Sequence, residues 1–433
     1  LEIGRHYTRR FCPVDHQLSC SGCGGVCNVL SGFGGSIHYG DGVKLSRFPS
    51  GRRLAEYIGA DAESLENEAV GYLNGQGPLN FTWPEPADLP FPVREYPVAV
   101  ISAVQLQAII RQLHSALDAR PGFELHFGTT ALRIEPNGST FELIARDHSG
   151  ALCAYSCRHV VVGAGRAGFL WWRSELRRLG LPHTPPTISI GLRFECPAGH
   201  LRNAAAMHAD FKTSFNVNNA KIKTFCFCAD SGGGGGRVKF ARYPGFTLLD
   251  GHVITEATPT ANFGLLVQMT DAAGAPRSFE WLDENILRKY EQMRSDRSGK
   301  PVVQWYPDFR DRQLRQTRLS ELLNCIDYRP SVADVEVADL ASLVGDYHEA
   351  FCTVFERVIN AFGQLNGARG RPPSESFLVY GLEVESVWDR MELSTSFETP
   401  ELPGLYVVGD CAGIAQGILQ AMVTGVAAGR AII

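Results

Sequence analysis

Residues 159–168 read HVVVGAGRAG. Three valines at successive positions suit a strand buried on both faces. They run into Gly163-Ala164-Gly165-Arg166-Ala167-Gly168, a G-x-G-x-x-G pattern, and the helix-like FLWWRSELRRLGL follows. Such a turn seats a dinucleotide pyrophosphate when it opens a βαβ unit with an acidic residue about 20 positions on. Here the next strand is TISIGLRFE, and its acidic residue, Glu195, comes too late, beyond an HTPP turn. The segments before HVVV (TALRIEP, TFELIARD, ALCAYSC) are separated by NGS and HSG and read as a meander of β-strands. HVVV therefore closes a meander rather than opening a run of parallel units. Gly163 and Gly165 are expected to form a tight turn that flanks a ligand without gripping its phosphates.

The rest of the chain offers two other places for such a grip. LEIGR (1–5) has the form of a second strand of a dinucleotide fold: an apolar stub, an acidic residue, then glycine and arginine. Glu2 at a strand tip can accept hydrogen bonds from both ribose hydroxyls, with Gly4 and Arg5 beside it. That reading expects the true fingerprint upstream of Leu1. At the other end, GLYVVGDCAGIAQGILQAMVTGVAAG (404–429) is a buried strand, a turn and a helix with a small-residue face. Gly409-Asp410 would reach a sugar-alcohol chain or a pyrophosphate. Gly413 and Gly417 would let backbone approach a flat ring. The N–H groups near Gln416, Gly417 and Ile418 are the free donors and positive end of a helix, suited to a locus that gains negative charge.

Composition bounds the remaining classes. The chain has 433 residues, 44% hydrophobic and 20% charged, with a net charge of −5. It can build a substantial core, and the balance argues against a nucleic-acid binder. It has no apolar run of spanning length. Its twelve cysteines, without an export signal in view, are expected to be reduced in the cytoplasm. The amphipathic stripe Leu106, Ile109, Ile110, Leu113, Leu117 predicts a helix stopped by Pro121-Gly122. Residues 186–375 carry strand-like runs and then helical ones, an α+β pattern. SGGGGG (231–236) within them reads as a flexible loop.

Taken in order, LEIGR, NVLSGFGGSIHYGDGVKLS (28–46), HVVVGAG and LYVVGDCAGIAQGILQAMVTG resemble FAD-dependent oxidoreductases of the glutathione-reductase-like superfamily. More narrowly, they resemble a family of uncharacterised FAD-dependent dehydrogenases. Its G-x-GG-A-G-T-F-S-D-G-K-L stretch is matched by Gly32 to Leu45, with Val43 extra and His38 in place of Thr. Its F-C-M-C-P-G-G segment is matched by FCFCADSGG (225–233), and GLEVESVWDR (381–390) has a counterpart there. The resemblance implies an α/β fold. Its parts are a discontinuous, Rossmann-type FAD-binding domain (1–60, 99–185 and 376–433), an insertion (61–98) and an interposed α+β substrate domain (186–375). It implies FAD contacts at Glu2, Gly4, Arg5, Gly32, Gly34, Gly35, Ser36, Asp41, Gly42, Lys44, Leu132, Gly163, Gly165, Gly409, Asp410, Gly413, Gln416, Gly417 and Ile418. No second fingerprint for a nicotinamide dinucleotide follows, so NAD(P)H is expected as a transient donor at most.

The expected activity is two-electron or hydride transfer through the flavin to a small-molecule substrate, without nucleic-acid or membrane partners. Two alternatives stay open: a flavin reductase of isoprenoid double bonds, and an RNA-modifying or non-catalytic flavoprotein with a cysteine-bound metal. The last would use Cys12, Cys20, Cys23 and Cys27, whose spacing fits no standard metal run; reduced loop thiols or a redox pair fit as well, and no metal is assigned. Cys226 and Cys228 alternate along a strand and face one side, as thiols aimed at the flavin or as small apolar filler. His38, Lys44 and Glu383 are acid–base candidates if they reach the flavin face.

Overall fold

The structure is a computed structural model. It describes residues 1–16, 18–20, 22–23, 25–35, 41–74, 77–243, 246–271, 273–294, 300–332 and 334–433. Ser36 and His38 lie outside the described residues.

The chain is a mixed α/β protein built around a seven-stranded sheet. Its order is Glu336–Val337, Val302–Trp305, Leu378–Glu385, Ser189–Pro197, Thr260–Gln268, Ala220–Cys228 and Ser214–Val217. All neighbours are antiparallel except the first pair. The central strand shows how sequence period sets the layers. Ile190, Leu192, Phe194 and Cys196 alternate onto one face and are fully buried. They join a core with Phe351, Phe355 and Phe362 of the helix His348–Asn366. Arg193 and Glu195 alternate onto the opposite face, yet they are fully buried too. That face lies against the antiparallel hairpin Gly235–Tyr243 and Phe246–Ile254. A Cβ on its Gly251 would stand 2.0 Å from an Arg193 nitrogen.

The glycine run corrects the sequence expectation. Residues 231–234 lie outside any strand, but Gly235 and Gly236 are strand residues, and that end of the run is a packing device. A Cβ on Gly235 would stand 2.0 Å from the Thr260 carbonyl oxygen, and one on Gly236 would stand 2.2 Å from that of Cys228. The hairpin reaches the sheet this closely because those positions carry no side chain.

The remaining segments make a second core. The helix Ala103–Asp118 starts at a capping box, with Ser102 and Gln105 each accepting the other's backbone N–H. Its Leu106, Ile109 and Ile110 pack with Leu65, Leu419 and Val423 from the helices Ala62–Leu73 and Ile418–Ile432. Leu113 and Leu117, further along the stripe, are only half-buried. Outside the seven-stranded sheet, parallel pairing occurs in two places among the described residues. Val160–Val162 pairs with Leu405–Val407, and Glu2 bridges Phe127 in parallel. The meander Thr130–Asn137, Thr140–Arg146 and Leu152–Cys157 forms its own three-stranded sheet, as its turn signals predict. One expected boundary moves: Leu378–Glu385, read from sequence with the terminal segment, pairs on both sides within the seven-stranded sheet.

The aromatic core makes a direct test. The Phe355 ring lies 3.9 Å from that of Tyr306, 4.7 Å from Phe194 and 5.0 Å from Phe377, centre to centre. Phe355→Ala should lower the unfolding free energy by about 3–5 kcal/mol. Val104→Ala, at a position 72% exposed, should change it by less than about 0.5 kcal/mol. Urea denaturation of both variants checks the contrast.

Candidate functional site

A cavity of about 1360 Å³ opens where the two cores meet. That exceeds the roughly 300–1,000 Å³ usual for small-ligand sites. The two long-range segments of the sequence reading converge on it. Gly409, Asp410, Gly413, Gln416, Gly417 and Ile418 line one wall, and Gly163 and Gly165 stand beside them. This adjacency follows from the parallel pairing of Val160–Val162 with Leu405–Val407, which puts both turns at the same end of two neighbouring strands. Gly34, Gly35, Gly42 and Lys44 line the cavity from the N-terminal segment, and Cys226 lines it from the sheet.

The terminal turn is held from behind. The Gly409 N–H donates to Thr424 Oγ1 at 2.7 Å. Gly417 takes φ +114°, and a Cβ there would stand 2.5 Å from Gln420 Oε1. The helix Ile418–Ile432 thus begins at the cavity wall with no side-chain cap on its first turn. Burial pushes the Asp410 carboxyl up, and Arg166 opposes the shift.

Arg166, one of the three variable residues of the G-x-G-x-x-G run, was missed by the sequence reading. Its guanidinium donates to Glu385 at 2.8 Å and to Asp250 at 3.3 Å, and all three line the cavity. The link ties the turn after Val160–Val162 to the sheet and to the hairpin. A lone arginine between small residues in a glycine turn was the available signal.

A second missed feature is a cationic wall. Arg94, Lys212, Lys221 and Lys223 all line the cavity. Lys221 and Lys223 alternate along a strand, so period two puts them on one face. Burial pushes Lys223 down to about 8; Glu385 opposes this, and Lys212, Arg94 and Lys221 reinforce it. Lys44 is tied to Asp210 at 3.0 Å and to the Phe227 carbonyl. Asp210 also accepts from Tyr96 at 2.9 Å and pairs with Lys212 at 2.7 Å. Burial disfavours the Lys44 ammonium, but Asp210 and the two cysteines outweigh it and raise its pKa.

Other expected contacts lie off the cavity. Glu2 sits beyond its Gly34 end and accepts the Gly4 and Gly32 N–H groups at 2.6 and 2.9 Å. The two glycine backbones nearly touch: a Cβ on Gly4 would stand 2.2 Å from the Gly32 nitrogen. Arg5 instead donates to the Cys23 carbonyl at 2.8 Å. Leu132 belongs to the meander, where its carbonyl accepts the Trp171 indole N–H at 3.0 Å. Asp41 is buried in an ion cluster, 2.8 Å from Lys239 and 3.2 Å from His252. Glu383 is buried against Arg193; burial pushes its carboxyl up while Arg193 pulls it back. None of these last four residues lines the cavity.

The Cys226 and Cys228 Sγ atoms are 3.5 Å apart, brought together at an irregularity in the strand rather than by its period. Cys226 lines the cavity and Cys228 is fully buried behind it. Among the described residues all cysteines are free, and no three metal-ligating side chains converge. No described helix is long and apolar enough to cross a membrane.

The sequence matches no protein-family model and no curated protein. Among solved structures it is similar to a salicylate hydroxylase in complex with substrate, at 11% identity over 90% of this chain and 70% of that one, with a TM-score of 0.34. A similar match is 2,6-dihydroxypyridine-3-hydroxylase from Arthrobacter nicotinovorans, at 11% identity, 89% and 71% coverage and a TM-score of 0.34. AlpK matches at 14% identity and a TM-score of 0.29; the match covers 83% of this chain and half (50%) of AlpK's length. TM-scores this low do not establish a shared fold.

The two charge links differ in depth, and their removal should differ accordingly. Glu383→Gln leaves a fully buried guanidinium short of its countercharge and should cost about 3–5 kcal/mol. The Arg166 side chain is 26% exposed, so Arg166→Gln should cost only about 1 kcal/mol. Chemical denaturation ranks them; the reverse order would refute the assignment.

Proposed function

We propose that this chain belongs to an FAD-dependent oxidoreductase, a dehydrogenase or reductase whose flavin occupies the large cavity. One observation carries the reading. Asp410, the helix start at Gln416–Ile418 and the Gly163–Gly165 turn stand together on one wall. They descend from two parallel strands that end side by side. The chemistry of this set fits the group. A carboxylate suits the sugar-alcohol hydroxyls, and a helix N-terminus suits a ring edge that gains negative charge. The space fits as well. Gly35 and Gly165 line the cavity, and no atom of the described residues lies within 4 Å of where a Cβ would stand. A side chain at either position would project into the space the cofactor needs.

In this reading Asp410 holds the ribityl chain and Gln416 to Ile418 face the pyrimidine edge. Glu2, braced by Gly4 and Gly32, holds the adenosine ribose at the far end of a Rossmann-type arrangement. Bound FAD supplies two-electron or hydride transfer. The protein's part is to bind it, set its electrostatics and keep water from its reactive face.

The cationic wall indicates a substrate with at least one carboxylate or similar anion. Lys223 carries its charge below a pKa of about 8 and loses it above. Affinity for small carboxylic acids should therefore fall as pH rises through about 8, read by isothermal titration at several pH values. Lys223→Met should be weak at every pH and lack that step.

The cofactor assignment has its own test. The natural gene product should be yellow, or bind added FAD with quenching of flavin fluorescence. Asp410→Ala and Gly165→Val should each weaken binding by about tenfold or more, a loss of at least ~1.4 kcal/mol. A protein that neither carries nor binds a flavin would overturn the reading. Anaerobic reduction with NADH, NADPH and dithionite in turn then identifies the donor.

A further inference from the structure

Cys226 and Cys228 stand closer than a strand allows. Two residues apart on a regular strand, side chains on one face are separated by about 6.6 Å; these two Sγ atoms are 3.5 Å apart. The cause is local. Opposite Thr260–Gln268 the register shifts between Phe225 and Cys228, a β-bulge, and Cys226 takes φ +44°. Left-handed backbone is unfavourable for a residue with a Cβ and persists only where its surroundings impose it. The surroundings are visible. Arg193 donates to the Cys226 carbonyl at 3.1 Å, and Lys44 donates to that of Phe227. Small apolar filler would need neither the bulge nor the strained residue.

The two thiols also differ in kind. Cys226 faces the cavity and Cys228 is sealed beneath it. The Sγ–Sγ contact with Cys228 favours a Cys226 thiolate most; burial opposes it, Arg193 and Lys44 support it, and Asp250 opposes it. Cys226 Sγ also lies 3.2 Å from the Gly251 carbonyl oxygen, and Cys228 Sγ 3.1 Å from that of Cys226. Glu383 lies beyond, paired with Arg193. Burial and the neighbouring Cys226 push Cys228 the other way. An accessible thiolate backed by a protonated partner is the arrangement of thiol–disulfide exchange.

We propose that Cys226 and Cys228 form a redox-active dithiol that reduces small carboxylated disulfides admitted to the cavity. The Cys226 thiolate attacks one sulfur of the disulfide. A Cys226–substrate disulfide forms, the substrate S–S bond breaks, and the released thiolate takes a proton from solvent. Cys228 then attacks Cys226 Sγ, and its proton goes to the second leaving thiolate. In balance, two protein thiols become one disulfide and one substrate disulfide becomes two thiols. A thiol-class reductant reverses the exchange. Lys212, Lys221 and Lys223 line the same cavity and suit the carboxylates. The exchange itself transfers no electrons through a flavin.

Glutathione disulfide is the probe, and peptide mass mapping after alkylation is the readout. In the whole native protein, the peptide carrying Cys226 and Cys228 should lose two hydrogens and resist alkylation. Dithiothreitol should restore both thiols. Cys228→Ser should trap a glutathione adduct on Cys226, and Cys226→Ser should give none on Cys228. At pH ~5.5 iodoacetamide should modify Cys226 on the order of tenfold or more faster than an ordinary thiol; near pH 7 the lower nucleophilicity of a weakly basic thiolate offsets the gain. Two results would overturn the proposal: a wild-type protein whose two thiols stay freely alkylated after treatment, or an adduct on Cys228 in folded Cys226→Ser. The wild-type arm needs no variant to fold.

Discussion

A guanidinium with no exposed surface organises the centre of this molecule. Arg193 reaches Glu383 and Asn262 at 2.6 Å each, and the Cys226 carbonyl. With its own strand, these contacts span four consecutive strands of the sheet. Taking such an ion out of water costs several kcal/mol, so the group stays only where its donors are well matched. That constraint shapes what surrounds it. The hairpin covers it with a glycine, and the bulge at Cys226 offers it a carbonyl. The wall of the cavity therefore inherits its form from a charge outside its lining.

The cavity itself depends on a second, shallower link. Arg166 joins Glu385 on the sheet, Asp250 on the hairpin and the turn that follows Val160–Val162. The turn glycines let backbone come close, while the arginine between them fixes where that backbone stands. The G-x-G-x-x-G run is thus anchored by Arg166, one of three residues its pattern leaves unspecified.

Local signals were legible and long-range ones were not. The helix at 103–118 and the meander at 130–157 follow from periodicity and turn residues, because each is decided by neighbours in sequence. The grouping of Gly163–Gly165 with Gly409–Ile418 was readable because strand-end turns follow a common pattern. Asp41 and Glu383 stand beside buried cations outside the cavity lining, a placement that could not be read from the chain. Whether a carboxylate faces a ligand or a buried cation depends on which distant strand pairs beside it, and one chain carries no mark of that. The basic wall escaped notice because its members come from three separate segments of a chain whose net charge is negative.

The glycine run at 231–236 has a practical side. By composition it is where one would splice a tag, a reporter or a cleavage site. Its last members lie against the carbonyls of Thr260 and Cys228, so an insertion there would wedge the hairpin off the sheet beside the thiol pair. Only the strand end of the stretch, from Gly234 to Gly236, is closed to added bulk; Ser231 and Gly232 are exposed in a turn.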